Sequence, residues 1–366
     1  MTGSGARLTF LGTGTSQGVP IIGCKCDVCR SADPRDKRFR ASVFVEYGGL
    51  NILVDAGPDF RMQMIGHEIS HLDAILLTHN HKDHTGGLDD VRSLNYIDRR
   101  AAEIYCERNV LEDLIREYPY VFKFPKYPGA PEWMLHVIDE HPFILRKDSS
   151  DKELVWVHDV GYHYRMNDGT LVPTARSLDD MIDTAIPAAG SASPDSSLRS
   201  APPISRRDCE DKSSHSLHRS GPLPLTSRGW LRSGLDRPVA ENNEQESITV
   251  IPIRGLHDKL PVLGFRFGDI AYLTDMSEIP ESEFAKLHGL KHLTLNTVGY
   301  NKHHSHFSLQ ETLTLADRIR PTHTWLTHLS HSFPVHEQFR KELERMCQEQ
   351  HIHSTVLPAY DGLVIE

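Results

Sequence analysis

A layered α/β fold is predicted by three features of the sequence. Apolar and β-branched runs alternate with segments of helical pattern. Several of those runs stop abruptly at a histidine or an aspartate. The chain, 366 residues with 39% apolar, is long enough to bury a large core. Strands that each end in a polar loop place a site at the strand ends of such a fold.

In chain order, Leu8–Leu11 reads as a strand entering the turn Gly12-Thr13-Gly14-Thr15. Tight-turn geometry explains those glycines better than a phosphate cradle, because no Lys-Ser/Thr pair follows them. Strand patterns at 41–47 and 51–54 flank Gly48-Gly49, and the second ends in Asp55. The apolar run 74–77 is a buried strand that halts at Thr78-His79. Residues 91–96 and 110–118 carry helical patterns, and after about residue 143 the patterning degrades.

Residues 191–238 are different in kind: 21 of these 48 are Ser, Pro or Gly. The stretch is too polar to form a core, so 146–247 is expected to be an insertion, largely disordered at 191–238, with a local hairpin within 155–164. Strand patterns return at 248–253, 264–267, 271–273 and 324–327. Between the last two lies a helix, 308–319, opened by Ser308 with Glu311 three positions on, a capping box. Residues 1–145 and 248–366 are thus expected to make one domain.

Charge and composition narrow the function. Lys and Arg number 40 against 50 Asp and Glu, for a net charge of −10, which argues against a surface that wraps nucleic acid. The insertion is the one basic stretch, and it lacks the interleaved aromatics of a single-strand binder. No run approaches the ~18 apolar residues of a membrane helix, and the first residues lack the basic and apolar stretches of a secretory signal. A cytoplasmic protein is expected. Histidine is over-represented, with 23 copies.

His79-Asn80-His81-Lys82-Asp83-His84 has the form H-x-H-x-D-H. Three imidazoles and a carboxylate so close together repel when protonated and converge their lone pairs when neutral, which suits a zinc-type metal site. Four donors from one loop cannot complete two coordination spheres. His257, Asp275 and His328, each just after an apolar strand pattern, are the distant candidates. A second cluster, Cys24-Lys25-Cys26-Asp27-Val28-Cys29, holds three of the six cysteines. Three thiolates leave a tetrahedral zinc one ligand short, and His331, in Leu326-Thr327-His328-Leu329-Ser330-His331, is the natural fourth.

H-x-H-x-D-H followed by separated His, Asp and His at strand ends resembles the metallo-β-lactamase superfamily. More narrowly, Leu8–Gly14, Cys24–Cys29, Leu76–Gly87, Leu256–Gly264 and Leu326–His331 resemble its phosphodiesterase branch, which includes the cyclic phosphodiesterase PhnP of the carbon–phosphorus lyase pathway. The resemblance implies an αββα sandwich of two mixed sheets flanked by helices. It implies that His79, His81 and His257 hold one divalent ion and Asp83, His84 and His328 a second, with Asp275 bridging. Zinc or manganese would fill this centre, and one structural zinc would sit at Cys24, Cys26, Cys29 and His331. Asp55 matches a family aspartate that braces the metal loop.

The implied activity is hydrolysis of a small phosphodiester, cyclic ones included, by a metal-bridged hydroxide. Asp83 and His306 are the implied catalytic residues, with His306 protonating the leaving oxygen. An RNA 3′-processing nuclease, or a thioester hydrolase or sulfur oxygenase on the same scaffold, are the alternatives. The expected partner is the small substrate, with neither nucleic acid nor membrane, and a homodimer is compatible with this reading.

Overall fold

Side-chain alternation along the strands decides which layer each residue meets. In the computed structural model, residues 5–123, 126–127, 129–147, 153–157, 161–166, 170–173, 179–183 and 247–366 are described. Leu53 and Ile75 point to one side, into a core shared with Phe60, Met64, Val110 and Leu114 of the flanking helices. Their neighbours Ile52, Val54, Ala74 and Leu76 point to the other side, against Val250, Leu263, Phe265 and Tyr272 of a second sheet. The second sheet buries its far face, including Leu293, Leu295 and Leu326, under Phe307, Leu313, Phe339 and Leu343. The layers therefore run helix, sheet, sheet, helix: an αββα sandwich.

The first sheet has eight strands in the order Ile182–Asp183, Trp133–Val137, Ala102–Cys106, Ala74–Leu76, Leu50–Val54, Ser42–Tyr47, Arg7–Gly12 and Val364–Ile365. The second has seven: Thr355–Pro358, His323–Thr327, His292–Asn296, Ile270–Leu273, Leu260–Phe267, Ser247–His257 and Phe143–Arg146. Each mixes parallel and antiparallel pairs. A separate three-stranded antiparallel sheet forms from Glu153–Val157, Gly161–Arg165 and Leu171–Pro173, which includes the hairpin expected within 155–164.

Met1–Ala189 with Gln245–Glu366 make one compact unit; the second, Gly190–Glu244, lies outside the described residues, as does the disorder expected at 191–238. Several strands escape a reading by pattern, among them Ala102–Cys106, Trp133–Val137, Phe143–Arg146, His292–Asn296 and Thr355–Pro358. In Ala102–Cys106 and Trp133–Val137 the partly buried Glu103 and Met134 face each other, while Ile104 and Leu135 enter the helix-side core. These runs carry too few β-branched residues to stand out, and only parallel pairing reveals them. Phe143–Arg146 is an edge strand, paired with Ser247–His257 across the whole intervening segment. The helix Leu309–Ile319 carries the capping box: the Ser308 side chain accepts from the Glu311 backbone, and the Glu311 carboxylate accepts from Ser308 N at 2.9 Å.

Candidate metal centre

Six strand or loop ends supply the site. Asp55 follows the strand Leu50–Val54, His79 follows Ala74–Leu76, and Asp83 and His84 lie in the short helix Lys82–Thr85. From the second sheet, His257 ends Ser247–His257, Asp275 follows Ile270–Leu273, and His328 follows His323–Thr327. His306 precedes the helix Leu309–Ile319. Asp55, Asp275 and His328 all adopt left-handed backbone, with φ of 65°, 58° and 55°. Each such residue costs on the order of 1–3 kcal/mol, which the surrounding hydrogen bonds must offset.

The bracing begins at Asp55. Its Oδ1 accepts from Thr78 N at 2.9 Å, its Oδ2 accepts from the Thr78 hydroxyl at 2.9 Å, and Oδ2 lies 2.6 Å from His84 Nδ1. Ala56 N donates to His84 O at 2.8 Å, and Leu263 N donates to Thr78 O at 3.0 Å, joining the loop to both sheets. Gly57 permits this approach: a Cβ there would lie 1.9 Å from Asp83 O. With Nδ1 of His84 engaged by Asp55 and Nδ1 of His79 2.9 Å from the Thr78 hydroxyl, the Nε2 atoms of both rings face inward.

At the centre lies the Asp275 carboxylate. Its Oδ2 is 3.3 Å from His84 Nε2 and 3.3 Å from His328 Nδ1, and its Oδ1 is 3.8 Å from His306 Nδ1. Three donor sets therefore meet on it: His79, His84 and Asp275; Asp83, Asp275 and His328; and His257, Asp275 and His306. Within each set the donor atoms lie within 4.8 Å of one another. Five buried ring nitrogens here, His79 Nε2, His84 Nε2, His257 Nδ1, His306 Nδ1 and His328 Nδ1, have no hydrogen-bond partner in the protein. At about 1–3 kcal/mol for each unsatisfied buried polar atom, that is costly unless they bind a cation. The donor set, neutral imidazoles with carboxylates, fits divalent ions of the zinc or manganese type.

The titration of these groups follows from their crowding. Burial opposes charge on His84, but Asp275, Asp55 and Asp83 outweigh it and hold the imidazolium well above its ordinary range. Burial, then the His84 charge, push His79 well below. Burial would raise the Asp275 carboxyl, yet His328 and His84 hold it well below the usual range, and Asp83 is lowered against the same penalty by His84. His306 is pushed down to about 3 by burial and by His328.

His84 shares a donor set with His79, and His306, expected only as a proton donor, shares one with His257 and Asp275. His81 is exposed; its ring lies 4.5 Å from that of His79 and 5.0 Å from that of His257, centroid to centroid, but it joins no three-donor set. Nothing in the sequence separates His306 from its neighbours His303 and His304, since only the packing of the preceding loop turns one of them inward.

The second cluster is equally compact. His331 Nδ1 lies 3.3, 3.5 and 3.7 Å from the sulfurs of Cys24, Cys26 and Cys29. Zinc bonds of about 2.3 Å to sulfur and 2.0 Å to nitrogen at a tetrahedral angle require N···S separations of about 3.5 Å. The three cysteines form no disulfide. Burial pushes the Cys29 thiol up to about 11, whereas hydrogen bonds from Cys26 lower Cys24. Only two residues, Leu329 and Ser330, separate His331 from His328, so the two centres share one chain segment.

An aspartate that fixes a ligand's tautomer has a measurable effect. In Asp55→Asn the carboxamide oxygen can still accept from Thr78 N, but its NH2 group faces His84 Nδ1 and drives the proton to Nε2. Ion retention at this centre, measured by competition with a chelator, is expected to weaken about 10–100-fold in the folded protein.

Comparison with known proteins gives three findings. The sequence profile of the beta-lactamase superfamily domain matches residues 50–145 and 207–329. An octanoyltransferase of Porphyromonas gingivalis is 30% identical over 98% of this chain and 51% of its own length, so the chain spans about half of that relative. Among solved structures, a diphosphatase from the PhnP family is 26% identical, with a TM-score of 0.63 over 99% of this chain and 97% of the other. Zinc-bound PqqB from Methylobacterium extorquens shares the fold at 14% identity, with a TM-score of 0.54 over 98% and 99% of the two chains.

Proposed function

This chain belongs to the beta-lactamase superfamily and has its hydrolase fold, and from that premise we propose that it is a metal-dependent phosphodiesterase acting on a small phosphodiester, cyclic ones included. The observation that carries the proposal is the convergence of five unpartnered imidazole nitrogens on the shared carboxylate of Asp275. Similarity to a diphosphatase at 26% identity, across nearly all of both chains, supports phosphoryl chemistry in particular.

His79, His81, Asp83, His84, His257, Asp275 and His328 would hold two divalent ions, zinc or manganese, with Asp275 shared. When bound, the pair supplies positive charge for an anionic phosphoryl group and makes water a nucleophile near neutral pH. The protein's own part is to fix which nitrogen of each imidazole ring faces the ions. Asp55 sets the His84 tautomer, and Thr78 sets that of His79. His306, with its ring 4.6 Å from His257 and 4.7 Å from His328, is placed to donate a hydrogen bond to the leaving oxygen. Cys24, Cys26, Cys29 and His331 would hold a structural zinc, and free thiols there suit a reducing, cytoplasmic location. Among the described residues, no helix is long and apolar enough to cross a membrane.

A second reading, thioester hydrolysis, is favoured by the relative named an octanoyltransferase. A nuclease is disfavoured by the net charge of −10. The test is initial rates on an aryl phosphodiester, a ribose cyclic phosphate and an octanoyl thioester, beside metal analysis of the same preparation. About three ions per chain are expected, with phosphodiester turnover that chelation abolishes. Thioester turnover exceeding that of both phosphodiesters would replace the proposal with the second reading.

A further inference from the structure

We infer that Asp361, near the far end of the chain, is a positioning residue for His328 and acts on it through Thr13. The inference rests on the reading of His328 as a metal ligand.

His328 needs external support. It ends the strand His323–Thr327 and turns into left-handed backbone at φ 55°. For a β-carbon-bearing residue this costs on the order of 1–3 kcal/mol and persists only where neighbours over-determine it. The next residue supplies the anchor: Leu329 N donates to Thr13 O at 2.8 Å, and Gly14 forms a bridge with Leu329. The direction of the His328 ring therefore depends on where the Thr13-Gly14 turn is held.

Two side chains, Asp361 and Arg38, hold it. The Thr13 hydroxyl donates to Asp361 Oδ1 at 2.7 Å and accepts from Arg38 Nη1 at 3.0 Å. The other Asp361 oxygen accepts from Phe39 N at 2.6 Å, and Phe39 O accepts from Gly14 N at 2.8 Å. Arg38, itself buried, also donates to Ala359 O at 2.6 Å, and Ala359 N donates to Leu326 O at 2.9 Å, back on the strand that delivers His328. The bonds thus close a ring through 13–14, 38–39, 359–361 and 326–329. One carboxylate accepts from both the hydroxyl and the backbone N–H, which an amide cannot do, because one of its two ends is a donor. Apart from His328 itself, no residue of this ring belongs to a donor set, and the ring fixes that one member.

The inference predicts a selective loss. Full-length wild-type protein and the variants Asp361→Asn, Thr13→Val and Thr13→Ser are stripped and reloaded with Mn(II) or Zn(II). Ion count and retention are then read by chelator competition, alongside thermal midpoint, kcat and KM on an aryl phosphodiester. In Asp361→Asn and Thr13→Val one of the two ions is expected to be retained about 10–100-fold more weakly. The other ion and the cysteine-bound zinc stay, and kcat falls while KM changes little. Thr13→Ser, which keeps the hydroxyl, restores wild-type retention. Wild-type affinity for both ions in Asp361→Asn and Thr13→Val would overturn the inference, and so would loss of all ions together with the fold. Should wild-type protein itself take up no pair of ions, the reading of the metal centre fails first and the inference with it.

Discussion

Replacing Asp275 by Asn is expected to reduce phosphodiester turnover by about three orders of magnitude or more, with loss of both active-site ions and retention of the cysteine-bound zinc. The size of the effect follows from position. Asp275 is the one residue common to all three donor sets, and its carboxylate is 2% exposed, so no solvent can take its place. The substitution keeps shape and volume but removes the charge that faces His84 and His328 at 3.3 Å. His84 then keeps only Asp55 and Asp83 as counter-charges, and the cations lose the one carboxylate common to all three donor sets. His81→Ala offers the contrast. Losing the exposed His81 ring beside His79 and His257 removes one imidazole and no counter-charge, so a smaller loss is expected. Rates measured with metal content on the same samples check both; an Asp275→Asn protein that keeps two ions and wild-type turnover would remove the proposed chemistry.

Cys26→Ser is expected to cost one zinc per chain and to destabilise the protein by several kcal/mol. The upper bound is the about 10–16 kcal/mol with which structural zinc holds small peptide sites. Cys26 has two roles here: its sulfur is 3.5 Å from His331 Nδ1, and it caps the helix Asp27–Arg30 by accepting from Cys29 N. A serine keeps the cap but is a poor zinc ligand. Because His331 and His328 lie on one short segment, freeing the first loosens the second, and a partial fall in turnover should accompany the lower thermal midpoint. Zinc analysis together with denaturant unfolding checks this; a variant with full zinc content and an unchanged midpoint would show that the cluster is not a structural site.

Much of the site was legible because ligands carry their chemistry in their side chains. H-x-H-x-D-H, the three cysteines, and the isolated His257, Asp275, His328 and His331 stood out by residue type at the ends of apolar runs. The strands Ala102–Cys106, Trp133–Val137 and Phe143–Arg146 were not legible, since parallel and edge pairing between remote segments leaves little trace in local periodicity. The inward turn of His306 was legible only as a resemblance. The link from Asp361 to Thr13 was not legible at all, for it joins residues 348 positions apart.

Residue identity alone determined the α/β class, the two clusters of metal donors and the acidic balance that disfavours a nucleic-acid partner. Those are properties of side chains and of short-range pattern, which survive in one dimension. Only the tertiary structure decided which imidazole faces which carboxylate, that His306 turns toward Asp275, and that residues 13, 38 and 361 brace the strand end of His328. Such choices depend on where backbone hydrogen bonds between distant segments aim each ring, and no local propensity encodes that direction.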